Sequence, residues 1–240
     1  MRIDATIVNY SIKNLLRFLC RINHQELEKI PENGPLILVS NHINFIEVPL
    51  LYTHLQPRPV TGFAKAEGWE NPFLRYLAEI WGAIPIHRGE VDISAIRSAL
   101  DALNENMIIG LAPEGTRSGD GKLGRGHQGV VTLARQSGAP MLPLGFFGNE
   151  NYKDDLKSFK KVNFNIVVGN QFELMQSTHK VNTSIRQQMT DEIMYQLAAL
   201  LPPPYRGFYS NLSQATEEYL QFPEGSRSNL VKRATMKYTH

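Results

Sequence analysis

The chain has 240 residues, 42% of them hydrophobic, and a formal net charge of +2. That is apolar material for one large α/β domain, or one domain with appendages, and too little net charge to argue for a nucleic-acid partner. Its single cysteine, Cys20, excludes an internal disulfide and suits a reducing compartment. No apolar run is long enough for a transmembrane helix, and the mixed charge of Met1-Arg2-Ile3-Asp4 gives no signal peptide.

Val8, Ile12, Leu15, Leu16 and Leu19 fall at helical spacing, with Lys13, Arg17 and Arg21 recurring every four residues beside them. Residues 1–25 read as a cationic amphipathic helix, the type that lies in a membrane interface. The same pattern fits a helix packed on its own protein with a solvated basic flank. Cys20 has no neighbour that would activate its thiol.

Residues 35–39 are a short apolar run that reads as a buried strand, and residues 49–55 read as a helix with Pro49 in its first turn. Between them lie His42 and Glu47, five residues apart on the bend. A carboxylate that accepts the proton of one imidazole nitrogen leaves the other nitrogen basic and aimed. Such a pair can take a proton from a hydroxyl. The spacing alone also fits a loop histidine at a helix start.

Val60–Lys65 reads as a strand ending in Lys65, and residues 73–81 as a helix. Residues 82–89 form a short strand that delivers Arg88, followed by a helix over 93–103. A strand over 107–112 runs into Pro113-Glu114-Gly115-Thr116-Arg117-Ser118 and a glycine-rich loop. A helix over 127–137 and the strand Met141–Phe147 come next. Strands alternating with helices predict an α/β sheet with parallel pairing. Lys65, Arg88 and residues 114–117 then lie at or just past carboxyl ends of strands, where open α/β sheets bind ligands.

Residues 149–161 read as surface loop and Val162–Val168 as a strand. Ile185, Met189, Ile193, Leu197 and Leu200 mark a terminal helix, stopped by Pro202-Pro203-Pro204. The main domain thus spans 26–204, and 205–240 reads as an appendage with Arg227, Lys232, Arg233 and Lys237 near its end. Such an end suits anionic lipid or a solvated tail.

Gly124-Arg125-Gly126-His127-Gln128-Gly129 matches the dinucleotide fingerprint, which must open directly from a strand. Here it follows a long turn, so no nicotinamide or flavin site is expected. The seven histidines contain no paired helix motif with a glutamate between them, and no metal site is expected.

Four blocks occur in order: Asn41-His42 with Glu47, residues 82–88 ending in Arg88, Pro113-Glu114-Gly115-Thr116-Arg117-Ser118, and Ala139-Pro140-Met141-Leu142-Pro143-Leu144. Together they resemble the phospholipid and glycerol acyltransferase family, which includes the 1-acylglycerol-3-phosphate acyltransferases. The resemblance covers about residues 33 to 148, and the third block matches fully. Glu47 departs from the family pattern, which has aspartate there.

The resemblance implies a single acyltransferase domain with a mixed, largely parallel sheet flanked by helices. It implies transfer of a fatty acyl group from a thioester, acyl-CoA or acyl-carrier protein, to a hydroxyl of a lysophospholipid or glycerol phosphate, as in phospholipid biosynthesis. His42 would be the general base and Glu47 its orienting partner. Arg88 and Arg117, with Lys65, would receive the acceptor phosphate, Gly115 and Thr116 would offer donors, and Glu114 would anchor an arginine or a glycerol hydroxyl. No cofactor or metal is implied. The expected location is the cytoplasmic face of a membrane, peripherally bound. The alternatives are the same fold acting on a lyso-aminolipid or a non-phosphate alcohol, and a membrane-binding scaffold with a decayed site.

Overall fold

The computed structural model describes residues 3–87, 92–176 and 181–231. α1 (Ile3–Leu19) leads into β1 (Cys20–Ile22), followed by β2 (Leu36–Ser40), α2 (Glu47–His54) and β3 (Val60–Lys65). Then come α3 (Pro72–Ile80), β4 (Ile84–Ile86), α4 (Ile93–Asn104) and β5 (Ile108–Leu111). Past the glycine-rich loop lie α5 (Gly129–Ser137), β6 (Met141–Phe147), α6 (Tyr152–Lys157), β7 (Val162–Val168), β8 (Glu173–Leu174), α7 (Thr183–Ala198) and β9 (Leu220–Gln221).

Seven strands form one sheet in the order β1-β7-β6-β2-β5-β3-β4, and β8 pairs with β9 separately. β6, β2, β5, β3 and β4 run parallel, whereas β7 is antiparallel to β6. The sheet is therefore mixed and largely parallel, as the alternation of strand and helix predicts. β2 is buried at every position, as a strand covered on both faces must be. Its side chains alternate with period two: Leu36 and Leu38 enter the core under α1 and α2. Ile37 and Val39 enter the core under α4, α5 and α7. Side-chain caps open several helices; Asp92 accepts the Ala95 N–H at 3.0 Å, and Asn182 accepts that of Ile185 at 2.9 Å.

The stretch 1–25 read as one helix is helical only as far as Leu19; Cys20–Ile22, with Arg21, forms β1. Three further features differ from the sequence reading. Within the amphipathic segment, Leu16 is buried and Val8, Ile12 and Leu19 pack against the core, so these four of the five stripe residues face the protein, while Leu15 is exposed. The Trp81 indole N–H donates to Asn9 Oδ1 at 2.8 Å and ties α1 to the end of α3. The opposite face of the helix leaves Ile7, Tyr10, Leu15 and Phe18 exposed. Second, the stretch read as loop over 149–161 contains α6, only six residues long and too short for a periodic signal. Third, the segment from Tyr205 is no appendage as far as residue 231. Tyr209 is 1% exposed, and Leu220 joins the same core as α7.

His54 on α2 is buried, and its Nδ1 lies 3.1 Å from the Leu50 carbonyl oxygen. Burial first, and the nearby Lys13 second, push its imidazole down to about 4 from 6.5. The unfolded chain therefore takes up a proton at higher pH than the folded one. The stability that a neutral His54 supplies is complete above the unfolded value and is lost as pH falls toward the folded one. We expect the melting midpoint, followed by circular dichroism, to decline between about pH 6.5 and pH 4. His54→Gln should flatten that slope; an unchanged slope would place the titrating group elsewhere.

Candidate active site

The carboxyl ends of β5, β2 and β6 lie side by side, and the site is built on the loops that leave them. Asn41 fixes the start of the first loop. Its Nδ2 donates to the Phe146 carbonyl at 2.8 Å, and its Oδ1 accepts the Phe146 N–H at 2.7 Å. The chain then bends, and Glu47 becomes the first residue of α2. His42 Nδ1–H donates to Glu47 Oε2 at 2.6 Å, which leaves Nε2 with its lone pair available.

Glu47 is 2% exposed and lies at a helix N-terminus, which favours its negative charge. The Asn44 N–H approaches both carboxylate oxygens at 3.1 Å, and Asn149 Nδ2 donates to Oε1 at 2.7 Å. Asn44 in turn donates through Nδ2 to the Asn149 carbonyl at 2.8 Å and accepts the Ile46 N–H at 2.9 Å. The carboxylate is thus held before any substrate arrives. Asn149 is the residue the sequence reading missed. Its signal was its place directly after the fourth block's strand, behind Gly148 with φ +89°.

The loop after β5 is bonded to the loop after β2. The Ser118 N–H donates to the His42 carbonyl at 2.8 Å, and the Gly119 N–H to that of Ile43 at 3.1 Å. Glu114, expected to anchor an arginine or a glycerol hydroxyl, has both carboxylate oxygens on backbone N–H groups. Glu114 is buried, with Oε1 accepting the His42 N–H at 3.1 Å and Oε2 the Gly124 N–H at 2.8 Å. Burial pushes its carboxyl up from the ordinary value, against the opposing pull of those two N–H groups. Glu114 is therefore a brace between the two loops. The C-terminal segment braces the same loop from behind: the Gly126 N–H donates to Tyr209 Oη at 3.1 Å, and Tyr209 donates to Asp191 at 2.8 Å. With the N–H groups of Gly124 and Gly126 so engaged, the glycine fingerprint offers neither to a pyrophosphate.

Gly115 adopts φ +66°, a conformation open to glycine, and turns the chain so that Thr116 and Arg117 reach solvent beside the histidine loop. Lys65 ends β3, one strand beyond β5, exposed and paired with Glu67 at 3.3 Å. Arg88 lies outside the described residues; β4, which leads to it, ends at Ile86. The structure therefore brings His42, Glu47 and residues 114–117 together and leaves Lys65 at the margin.

The family model described as Acyltransferase matches residues 21–146, more than half of the chain, across all four blocks. The chain belongs to the Acyltransferase family. This acyltransferase is 25% identical over 174 residues to the 1-acyl-sn-glycerol-3-phosphate acyltransferase of Bacillus subtilis, covering 72% of this chain and 84% of that one. The lyso-ornithine lipid O-acyltransferase of Pseudomonas aeruginosa is 30% identical over 111 residues, 46% of this chain and 42% of its own. The crystal structure of the 1-acyl-sn-glycerophosphate acyltransferase PlsC from Thermotoga maritima shares the fold. Its TM-score is 0.56 at 19% identity, over 79% of this chain and 77% of that one. The reaction class that follows for this acyltransferase is O-acyl transfer. Among its described residues no helix is long and apolar enough to cross a membrane.

Proposed function

We propose that this acyltransferase moves a fatty acyl group from acyl-CoA or acyl-carrier protein to the free hydroxyl of 1-acylglycerol-3-phosphate or a related lysophospholipid or glycerol phosphate. The observation that carries the reading is the His42–Glu47 pair, with Nδ1 committed to a buried carboxylate and Nε2 left free. Nε2 takes the acceptor's proton as the hydroxyl oxygen attacks the thioester carbonyl. Glu47 keeps the tautomer and stabilises the imidazolium that forms. The C–S bond then breaks, and the imidazolium returns the proton to the departing thiolate. The thioester is already activated, so the route uses no covalent acyl-enzyme and no further cofactor.

Arg117 forms no ion pair among the described residues and stands ready for a phosphate, which a guanidinium binds as a fork. Arg88 and Lys65 follow neighbouring strands and are assigned to the same anion, with donors from Gly115 and Thr116. The test is thiol release measured across a panel of acceptors. Arg117→Ala should lower kcat/KM about ten- to hundredfold for a phosphorylated acceptor, the size of one charged hydrogen bond. An acceptor without phosphate should be nearly unaffected. Equal losses on both would remove phosphate recognition from Arg117. A parent enzyme that prefers a lyso-ornithine lipid would shift the reading to the chemistry for which the Pseudomonas relative is named.

A lysophospholipid acceptor, with its acyl chain, resides in a bilayer. The exposed face of α1, with Ile7, Tyr10, Leu15 and Phe18 beside Arg17 and Arg21, is our candidate for peripheral contact with the anionic cytoplasmic leaflet.

A further inference from the structure

The turn between α6 and β7 carries a residue that folding does not account for. α6 ends in a Schellman motif: the Lys160 N–H donates to the Asp155 carbonyl at 2.8 Å, and the Phe159 N–H to that of Leu156 at 3.1 Å. The left-handed residue of this motif is glycine by preference, because a side chain there is strained. Here it is Phe159, with φ 54° and a side chain 100% exposed. A large aromatic residue thus occupies a glycine's position and packs on nothing. Backbone preference and core packing both argue against it, and an outlier of this kind points to function.

Its surroundings say what it meets. β1 and β7 are parallel, with Cys20 opposite Val162, and β7 is antiparallel to β6, with Asn165 opposite Phe147. The starts of β1 and β7 therefore lie at the same edge of the sheet as the carboxyl ends of β2 and β6, the edge that carries His42. The end of α1, with Phe18 72% exposed, reaches that edge just before Cys20. Phe45 on the histidine loop is also exposed there and meets the Tyr152 ring of α6 edge to face, with centroids 5.9 Å apart. Lys160 and Lys161 follow Phe159 directly and are exposed, Arg17 precedes Phe18 and is exposed too, and Lys157 pairs with Asp154 at 3.9 Å. Lys160 and Lys161 form no ion pair among the described residues.

We infer that the Ser158–Lys161 turn is a second membrane anchor, in which Phe159 enters the acyl boundary of an anionic bilayer and Lys160 and Lys161 meet its headgroups. The inference rests on the proposed membrane contact of α1 and adds a second point to it. Two contacts at one edge hold the mouth of the site against the lipid, whereas α1 alone leaves the domain free to roll. A fully exposed aromatic ring followed by two exposed lysines favours lipid over an acidic carrier protein, which needs charge but no apolar wedge.

The experiment compares the full chain with Phe159→Gly and with the double variant Lys160→Gln/Lys161→Gln. Vesicles of phosphatidylcholine mixed with phosphatidylglycerol, and of phosphatidylcholine alone, are the probes in co-sedimentation. Phe159→Gly should lower binding to the mixed vesicles about tenfold or more, given the apolar area withdrawn. Its melting midpoint should hold or rise, because glycine relieves the left-handed strain. The lysine variant should lose roughly fivefold per charge and most of its preference for the anionic vesicles. If the parent binds and Phe159→Gly binds equally well, the anchor is overturned and the α1 reading stands. If the parent binds neither vesicle, the membrane contact itself is overturned, and this inference with it. If the variants keep vesicle binding and lose turnover only with acyl-carrier protein as donor, the patch belongs to the carrier and the lipid anchor is overturned.

Discussion

His42→Ala should lower turnover about 10²–10⁴-fold, the contribution of a positioned general base, while the protein remains folded. The fold should survive because, among the described residues, the imidazole makes one hydrogen bond, to Glu47. The backbone of residue 42 keeps its bonds to Glu114 and Ser118 after the change. Glu47 would still hold the Asn44 and Asn149 donors, so no buried charge is stranded. Thiol release under saturating substrate gives the rate, and circular dichroism gives the fold. A folded His42→Ala protein with near-normal turnover would remove His42 from the chemistry.

Glu47→Gln should cost about a hundredfold or more, acting on kcat more than on the acceptor KM, because tautomer and orientation matter in the transition state. The structure adds a reason beyond charge. The carboxylate accepts from three groups: His42 Nδ1–H, the Asn44 N–H and Asn149 Nδ2. An amide has one oxygen to offer and would turn its own N–H₂ toward a donor among groups that are buried. Glu47→Asp keeps both oxygens and withdraws them by about one bond length, so it should retain more turnover than the glutamine variant. Equal rates for parent and Glu47→Gln would mean that Glu47 does not orient His42. A steady kcat with a raised KM would assign it to binding instead.

The division between what was legible and what was not follows the range of each interaction. The strands came through because an apolar run bounded by turn residues is a local signal, and β3, β6 and β7 fall where it places them. β1 and α6 escaped it: β1 is three residues inside a stretch whose helical spacing of basic residues runs on to Arg21, and α6, at six residues, is too short to show a period. The His42–Glu47 pair was visible because its members are five residues apart on one bend, close enough for the chain itself to set their distance. Glu114 and Asn149 are different. One bonds across 72 residues and the other across 102, through strands that only the folded sheet makes neighbours.

The amino-acid order by itself determined the alternation of strand and helix, the two apolar faces of β2 and the histidine–carboxylate couple, since each is a property of adjacent residues and of backbone periodicity. Only the tertiary structure decided which stripe of α1 is covered. A helix with apolar residues on two sides gives no local sign of which one a neighbour will bury, and here α2 and Trp81 take the side of Val8, Ile12 and Leu16. The same holds for Glu114. A carboxylate in a loop can meet a ligand or a backbone amide, and the choice fell to the His42 and Gly124 N–H groups, which the packing of β2 against β5 brings within reach and which burial would otherwise leave unpaired.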